Sequence, residues 1–419
     1  MASKRVIFLC STAPDLRRGG AGEYNLQLIR GLHHFGCEVH LFCLEKVHQD
    51  GDCRAYCADI AAAPGLRSMS APGRRLRQAC CIAKGKPSLG QVGTAQIKGL
   101  LQYVRDVGPE AVWVSHMAAA GVMPSLRKTF PDMQIVFVSH NCETDVRRLY
   151  GRYGRFRDRA LSRLDFPRVR DLEQQICDLS DAVTVISARD RDLYEHYFGA
   201  AKKLHVLPPS TLLSEAPDEA GKNADPRRVL HCGSFGGYRA KRLNLEWFVR
   251  EVWPRVEQSV PDATMDLIGR NPPGSLLRAA KRCSRLHVHG WVEDLRPYYR
   301  RAGIYVLPTR IGGGFELKTI HAALNRCAIV GSEIPLGAAQ MTDGVHARLA
   351  DSGRQYAEVI GELSNGPREL EHLCASALQH VSSEFSWQKF LGSMDMVLSR
   401  SMHTVHGGDD LSGATAGGV

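Results

Sequence analysis

The stretch GGGFELKTIHAAL, Gly312 to Leu324, combines residue types suited to holding an anion. It follows a short apolar run that reads as a strand and passes into a helical pattern. Three glycines therefore fall where backbone N–H groups can approach a phosphate closely. Lys318 lies in the first turn of the expected helix and reads either as a solvated charge or as a phosphate ligand. His321 stands one turn further on. A neutral imidazole offers one acceptor and one donor, whereas protonation favours a nearby phosphate. Glu316 is five residues from His321 and points about 140° away on an ideal helix, so it reads as a helix cap or a separate ligand contact.

Other candidates occupy similar places: Gly19, Gly20 and Gly22 in GGAGEY, His116 ending WVSH, and His140, Asn141 and Glu143 in VSHNCE. Arg239, Lys241 and Arg242 form a basic loop after GSFGGY. Taken singly, glycines mark turns and a strand-end histidine is structural. Their joint occurrence at strand-to-helix junctions favours a ligand site, with one or two of the three cations facing a cleft and the remainder solvated. The DRD at 190–192 has the look of a metal-binding DxD, but Asp190 lies three residues after Ser187 and has an ordinary capping task, so no metal site is expected.

The elements that position these residues follow a repeated order of strand, loop, helix and strand. Strands are expected at 6–10, 39–44, 111–114, 134–139 and 181–186, then at 229–232, 263–268, 286–289, 304–307 and 328–330. A helix runs from Glu23, with Leu28, Ile29, Leu32 and Phe35 on one face. Such alternation means parallel sheets covered on both faces, and two series mean two doubly wound α/β domains. The division expected is 1–207, a Pro- and acid-rich linker at 208–228, a second domain at 229–383, a last amphipathic helix at 384–400 and a polar disordered tail at 401–419.

Composition narrows the class further. The 419 residues suit two domains, with 44% hydrophobic and 23% charged residues. The longest apolar runs fall well short of a bilayer span, and the N-terminal run is too short for a secretory signal core. Thirteen scattered cysteines read as reduced core residues of a cytoplasmic protein. The net charge of +10 favours anionic partners.

Taken in order, GGAGEY before a helix, the VSH at His116, VFVSHNCE, GSFGGY, GGGFELK and a late FSW resemble glycosyltransferase family 4 over residues of about 5 to 400. The resemblance implies a GT-B fold: two Rossmann-like domains facing across a cleft, with the last helix returning to the first. It implies a retaining transfer of sugar from a nucleotide-sugar donor to a glycan or lipid-linked acceptor, without metal or cofactor. Mapped onto this chain, His116, Lys318 and Arg239 become the catalytic candidates. Donor binding falls to Gly20, Gly22, Lys241, Arg242, Gly312, Gly313, Gly314, Phe315, Glu316 and His321, and acceptor binding to His140, Asn141 and Glu143.

The family commonly carries two glutamates eight positions apart around this loop, the second holding the ribose hydroxyls. Here Gly313 and His321 stand in their places. One branch of the family shows GGG in place of the first, with a lysine where Lys318 stands. The change at 321 leaves three readings: altered nucleotide choice, weakened catalysis or a non-catalytic partner subunit. A nucleotide-sugar epimerase and an NAD-dependent oxidoreductase are rivals, although GxGxxG is missing after the first strand. Nine arginines between Arg147 and Arg170, interleaved with Tyr150, Tyr153, Phe156, Leu161, Leu164 and Phe166, suit either a solvated face or an anionic membrane surface. A basic segment at 65–87 adds to that surface. No nucleic-acid module surrounds them, and no nucleic acid is expected.

Overall fold

The computed structural model describes residues 4–16, 19–45, 52–63, 71–211, 224–233, 235 and 239–402. The centre of the expected linker, part of the GSFGGY loop, residues 65–70 of the second basic segment and the tail from 403 lie outside them.

Seven strands form the first sheet: β1 Arg5–Cys10, β2 Glu38–Cys43, β3 Asp59–Ala62, β4 Ala111–Ser115, β5 Gln134–Val138, β6 Ala182–Val185 and β7 Leu204–Val206. Their order is β3-β2-β1-β4-β5-β6-β7, and every pairing is parallel. The second sheet contains β8 Asp225–Cys232, β9 Thr264–Ile268, β10 Leu286–His289, β11 Ala302–Leu307, β12 Ala328–Gly331 and β13 Arg348–Leu349. It runs β10-β9-β8-β11-β12-β13, again wholly parallel. The expected α/β class with two doubly wound sheets is what the chain adopts.

Strand β1 shows why both faces must be covered. Val6 and Phe8 pack in one core and Ile7 and Leu9 in another, all fully buried, because successive side chains of a strand point to opposite faces. The helices that bear on function are α1 Gly20–His34, α2 Glu143–Tyr153, α3 Phe156–Leu179, α4 Ala188–Phe198, α5 Arg239–Trp247, α6 Lys318–Leu324, α7 Pro367–Glu384 and α8 Trp387–Met402. Helix α1 begins at Gly20, three residues before the expected start.

Helix α8 leaves the second sheet and packs on α1 and on strands β5, β6 and β7. Gly31 of α1 makes this approach possible: a Cβ there would lie 2.9 Å from Met394 and 3.0 Å from Phe390. The segment after β7 is tied to α1 as well. Tyr24 donates its hydroxyl to the Leu207 carbonyl at 2.6 Å, and the Gln27 amide exchanges two hydrogen bonds with the Ser210 backbone.

Candidate active site

In open parallel sheets a ligand crevice forms beyond the carboxyl ends of the strands, where strand order reverses. These points lie between β1 and β4 in the first sheet and between β8 and β11 in the second. Every glycine and histidine cluster singled out above follows β1, β4, β5, β8 or β11.

At the second switch point the ammonium of Lys318 lies against the backbone of Gly233. A Cβ on that glycine would sit 2.4 Å from the Lys318 Nζ, so a side chain there would displace the ammonium from this place. Gly269 closes the other side, since its Cβ would meet the Gly233 carbonyl oxygen at 1.5 Å. Burial pushes Lys318 down to about 8, and the charge of Lys241 adds to the effect. His231 is buried beside them and held well below the usual imidazole range, by desolvation first and the Lys318 charge second. Its Nδ1 lies 2.8 Å from the Val306 carbonyl oxygen. Among the described residues neither Lys318 nor Lys241 forms an ion pair. Two cations and a neutral imidazole, opposed only by the charge of Glu316 acting on Lys318 without pairing with it, make a site for an anion.

At the first switch point His116 closes β4 with φ at 73°, a left-handed backbone rarely adopted outside glycine. Its Nδ1 accepts from the Ala118 N–H at 3.1 Å, which leaves Nε2 as the donor of the neutral ring. Burial lowers its pKa. The rings of His116 and His140 lie 5.2 Å apart. His140 Nε2 is 3.0 Å from Ser115 Oγ, whose own proton goes to Asn25 Oδ1 at 2.7 Å, so this histidine donates through Nε2. Desolvation holds His140 well below its ordinary value.

Between these points the two halves meet along a close seam. Gly314 has φ at 65°, and a Cβ there would lie 1.9 Å from the His140 carbonyl oxygen; one on Gly313 would press on Val146 and Asn141. The Gly314 N–H donates to Asp190 Oδ1 at 3.3 Å. Asp190 is the residue that Ser187 caps at the start of α4, its N–H bonding Ser187 Oγ at 3.1 Å. The cap is thus Ser187, while the Asp190 carboxylate takes the Ser187 hydroxyl and the cross-domain Gly314 N–H in place of completing a capping box.

The seam continues through Val146, Leu149 and Tyr150 of α2, packed on Ala240 and Leu243 of α5 and on Ile311. Arg310 is stacked between Tyr153 and Trp247, with its guanidinium carbon 4.3 Å and 4.5 Å from the two ring centres. Asn141 donates to Glu143 Oε1 at 3.2 Å, and both lie at this boundary. Glu173 supports them from below, accepting from the Glu143 and Thr144 N–H groups and the Tyr194 hydroxyl. Full burial raises Glu173 to about 7.

Two expected phosphate ligands are engaged elsewhere. Arg239 grips Asp158 of α3 with both Nε and Nη2, and Arg242 bonds Glu246 one turn along its own helix at 2.8 Å. Of the three cations, Lys241 is the one associated with Lys318. Glu316 accepts the Thr309 hydroxyl, and the Phe315 ring packs edge-on against Phe385 at 5.0 Å. Gly312 abuts Thr309, Gly22 abuts the Asp15 carbonyl, and Gly20 approaches the Leu317 side chain of the other domain. Residues 315–317 separate the glycine triplet from α6, so these glycines serve the seam and do not open a helix.

His321 has a partner that its position in the sequence does not suggest. Its Nε2 lies 3.2 Å from Oε1 of Glu23, in the first turn of α1 and 298 residues away. A carboxylate therefore stands beside the position where the resemblance leads one to expect a glutamate, supplied by the opposite domain.

Two family models tile the chain: Glycosyltransferase Family 4 matches residues 18–211 and Glycosyl transferases group 1 matches residues 226–365. The chain belongs to glycosyltransferase family 4. Solved structures agree on the GT-B fold. Sucrose-phosphate synthase from Thermosynechococcus elongatus superposes with a TM-score of 0.73 at 17% identity, covering 95% of this chain and 98% of that one. Anabaena Alr3699/HepE in complex with UDP-glucose gives 0.64 at 13%, covering 94% and 99%. WaaG, a glycosyltransferase involved in lipopolysaccharide biosynthesis, gives 0.64 at 12% with the same coverage. Among curated proteins none matches at a significant level.

Within this family 4 member the sequence singled out Lys318, Lys241 and His116, and Asp190 for capping alone, but not Gly233, His231 or Glu23. Gly233 and Glu23 both sit inside motifs already quoted, GSFGGY and GGAGEY, so the signal was their place beside the glycines. The arginine run between 147 and 170 is more paired than its composition indicates. Arg147 bonds Asp165, Arg148 bonds Asp145 and Arg155 reaches Glu246, while Arg157, Arg159 and Arg163 remain exposed. No described helix is long and apolar enough to cross a membrane.

Proposed function

We propose that the protein transfers a glycosyl group from a nucleoside diphosphate sugar to a hydroxyl of a glycan or lipid-linked acceptor, with retention at the anomeric carbon. The observation that carries this reading is the Lys318 ammonium, desolvated against Gly233 at the second switch point without an ion-pair partner among the described residues and with the charge of exposed Lys241 added to its own. As the bond from the anomeric carbon to the diphosphate oxygen breaks, the electron pair leaves with the diphosphate. The two lysines meet that charge, with no metal required. The acceptor oxygen bonds the anomeric carbon, and its proton passes to the departing diphosphate. His116, neutral and donating through Nε2, holds a hydroxyl of the transferring sugar. That Alr3699/HepE is described with UDP and UDP-glucose supports a uridine donor as the first to try.

Calorimetric titration with UDP, GDP, TDP and ADP, followed by product detection with the matching sugar, tests the reading. Selective binding by one of them, abolished in Lys318→Met, is expected. Failure of all four to bind would overturn it. Turnover should persist in excess EDTA.

A membrane-proximal acceptor is favoured by one surface observation. Phe156, Leu161 and Leu164 of α3 are 86%, 44% and 57% exposed, beside exposed Arg157, Arg159 and Arg163. Apolar rings and arginines on one exposed helix suit an anionic bilayer surface. Sedimentation with phosphatidylglycerol vesicles should fall at least about tenfold for Phe156→Ser combined with Arg163→Gln; equal binding to neutral vesicles would sink this part.

A further inference from the structure

We infer that Glu23, from the first domain, is the carboxylate that binds the vicinal hydroxyls of the donor's ribose, with His321 as its positioning residue. The inference rests on the donor reading above and adds the group that recognises the nucleoside.

Lys318 and His321 are three residues apart on α6 and so share one side of it. A nucleoside diphosphate held at the Lys318 ammonium extends towards groups about one turn away, where the Glu23–His321 contact lies. Glu23 is nearly buried, its side chain 9% exposed, and a carboxylate in that setting needs hydrogen-bond donors. The structure gives it one, the imidazole at 3.2 Å on Oε1. Among the described residues nothing donates to Oε2, and no lysine or arginine pairs with this side chain.

A vicinal diol offers two O–H donors, which matches the open acceptor capacity, and carboxylates bind ribose hydroxyls in unrelated dinucleotide folds for the same reason. The approach of Gly20 to Leu317, immediately before α6, sets the two helices beside one another. Because Glu23 belongs to one domain and Lys318 to the other, ribose and diphosphate are read from opposite walls. Nucleoside recognition is then complete only when the cleft is closed.

The experiment compares the full chain with Glu23→Gln, His321→Ala and the Glu23→Gln/His321→Glu double variant. UDP, GDP and ADP, their 2′-deoxy forms and inorganic pyrophosphate are titrated calorimetrically. A site built to bond a hydroxyl rejects the analogue lacking it, so the wild type should prefer the ribose form by about 10- to 100-fold. In Glu23→Gln this preference should shrink to within about threefold while pyrophosphate affinity stays the same. His321→Ala should reduce the preference partly, and the double variant should restore it by returning a carboxylate to the same place. Retention of the full preference in Glu23→Gln would overturn the inference while leaving the donor reading intact. Loss of pyrophosphate binding together with nucleotide binding in Glu23→Gln would make the residue structural and overturn it too. Absence of any binding by the wild type would remove both.

Discussion

Replacing Lys318 with methionine should make the protein more stable and inactive. The gap between its folded value of about 8 and the ordinary 10.5 corresponds to roughly 3 kcal/mol held against folding at neutral pH. Local rearrangement absorbs part of this, so a gain of about 1–3 kcal/mol is expected in Lys318→Met, or a rise of roughly 3–8 °C in the melting temperature of its domain. The pH dependence follows from the depressed folded value. In the wild type the penalty is complete below about 8, because the ammonium is then charged in both folded and unfolded chains. It fades as pH rises towards 10.5, where the unfolded chain also loses the proton. The advantage of the variant should therefore narrow steadily over that interval. Differential scanning fluorimetry from pH 7 to 10.5 measures it. A saturating nucleoside diphosphate should reverse the order at pH 7, since ligand at 1,000 times Kd adds about 4.1 kcal/mol to the wild type alone. A variant less stable than the wild type at pH 7, or one whose advantage is the same at every pH, would refute the reasoning.

Two further outcomes follow from the seam. Gly314→Ala forces a side chain onto the His140 carbonyl oxygen in a left-handed backbone, and urea titration should show a loss of at least about 2 kcal/mol; an unchanged midpoint would mean the domains do not meet as described. Glu173, raised to about 7, favours folding fully below its ordinary 4.5 and progressively less as pH rises to 7; Glu173→Gln should flatten that slope, worth about 3 kcal/mol, in urea titrations between pH 4.5 and 8.

The central strands were legible because they are buried on both faces and read as apolar runs bounded by glycines and polar turns. Three edge strands, β3, β7 and β13, were missed. They have four, three and two residues, and their half-exposed sequences such as DIAA carry no run long enough to register. The site divides in a similar way. Lys318 was found from its local setting, whereas the tie between Arg239 and Asp158 spans 81 residues and depends on how α3 meets α5. Spacing along the chain carries no such information. The glycines at 313 and 314 were marked for phosphate approach; their tight requirements are the Val146 and Asn141 side chains for the first and the backbone of His140 for the second, which no local pattern reveals.

The return of α8 to the first sheet has consequences for how the chain matures. Helix α1 keeps a notch at Gly31 for Phe390 and Met394, which are made more than 350 residues later. The first domain is therefore assembled from distant parts of the polypeptide and cannot finish its core until α8 has been made. Until α8 emerges, the apolar floor of that notch is uncovered, and a nascent chain stalled before residue 387 lacks part of the first domain's interior however well its first two hundred residues have folded. Cutting the connection between the sheets would not yield two independent pieces, since one of them would carry away part of the other's interior.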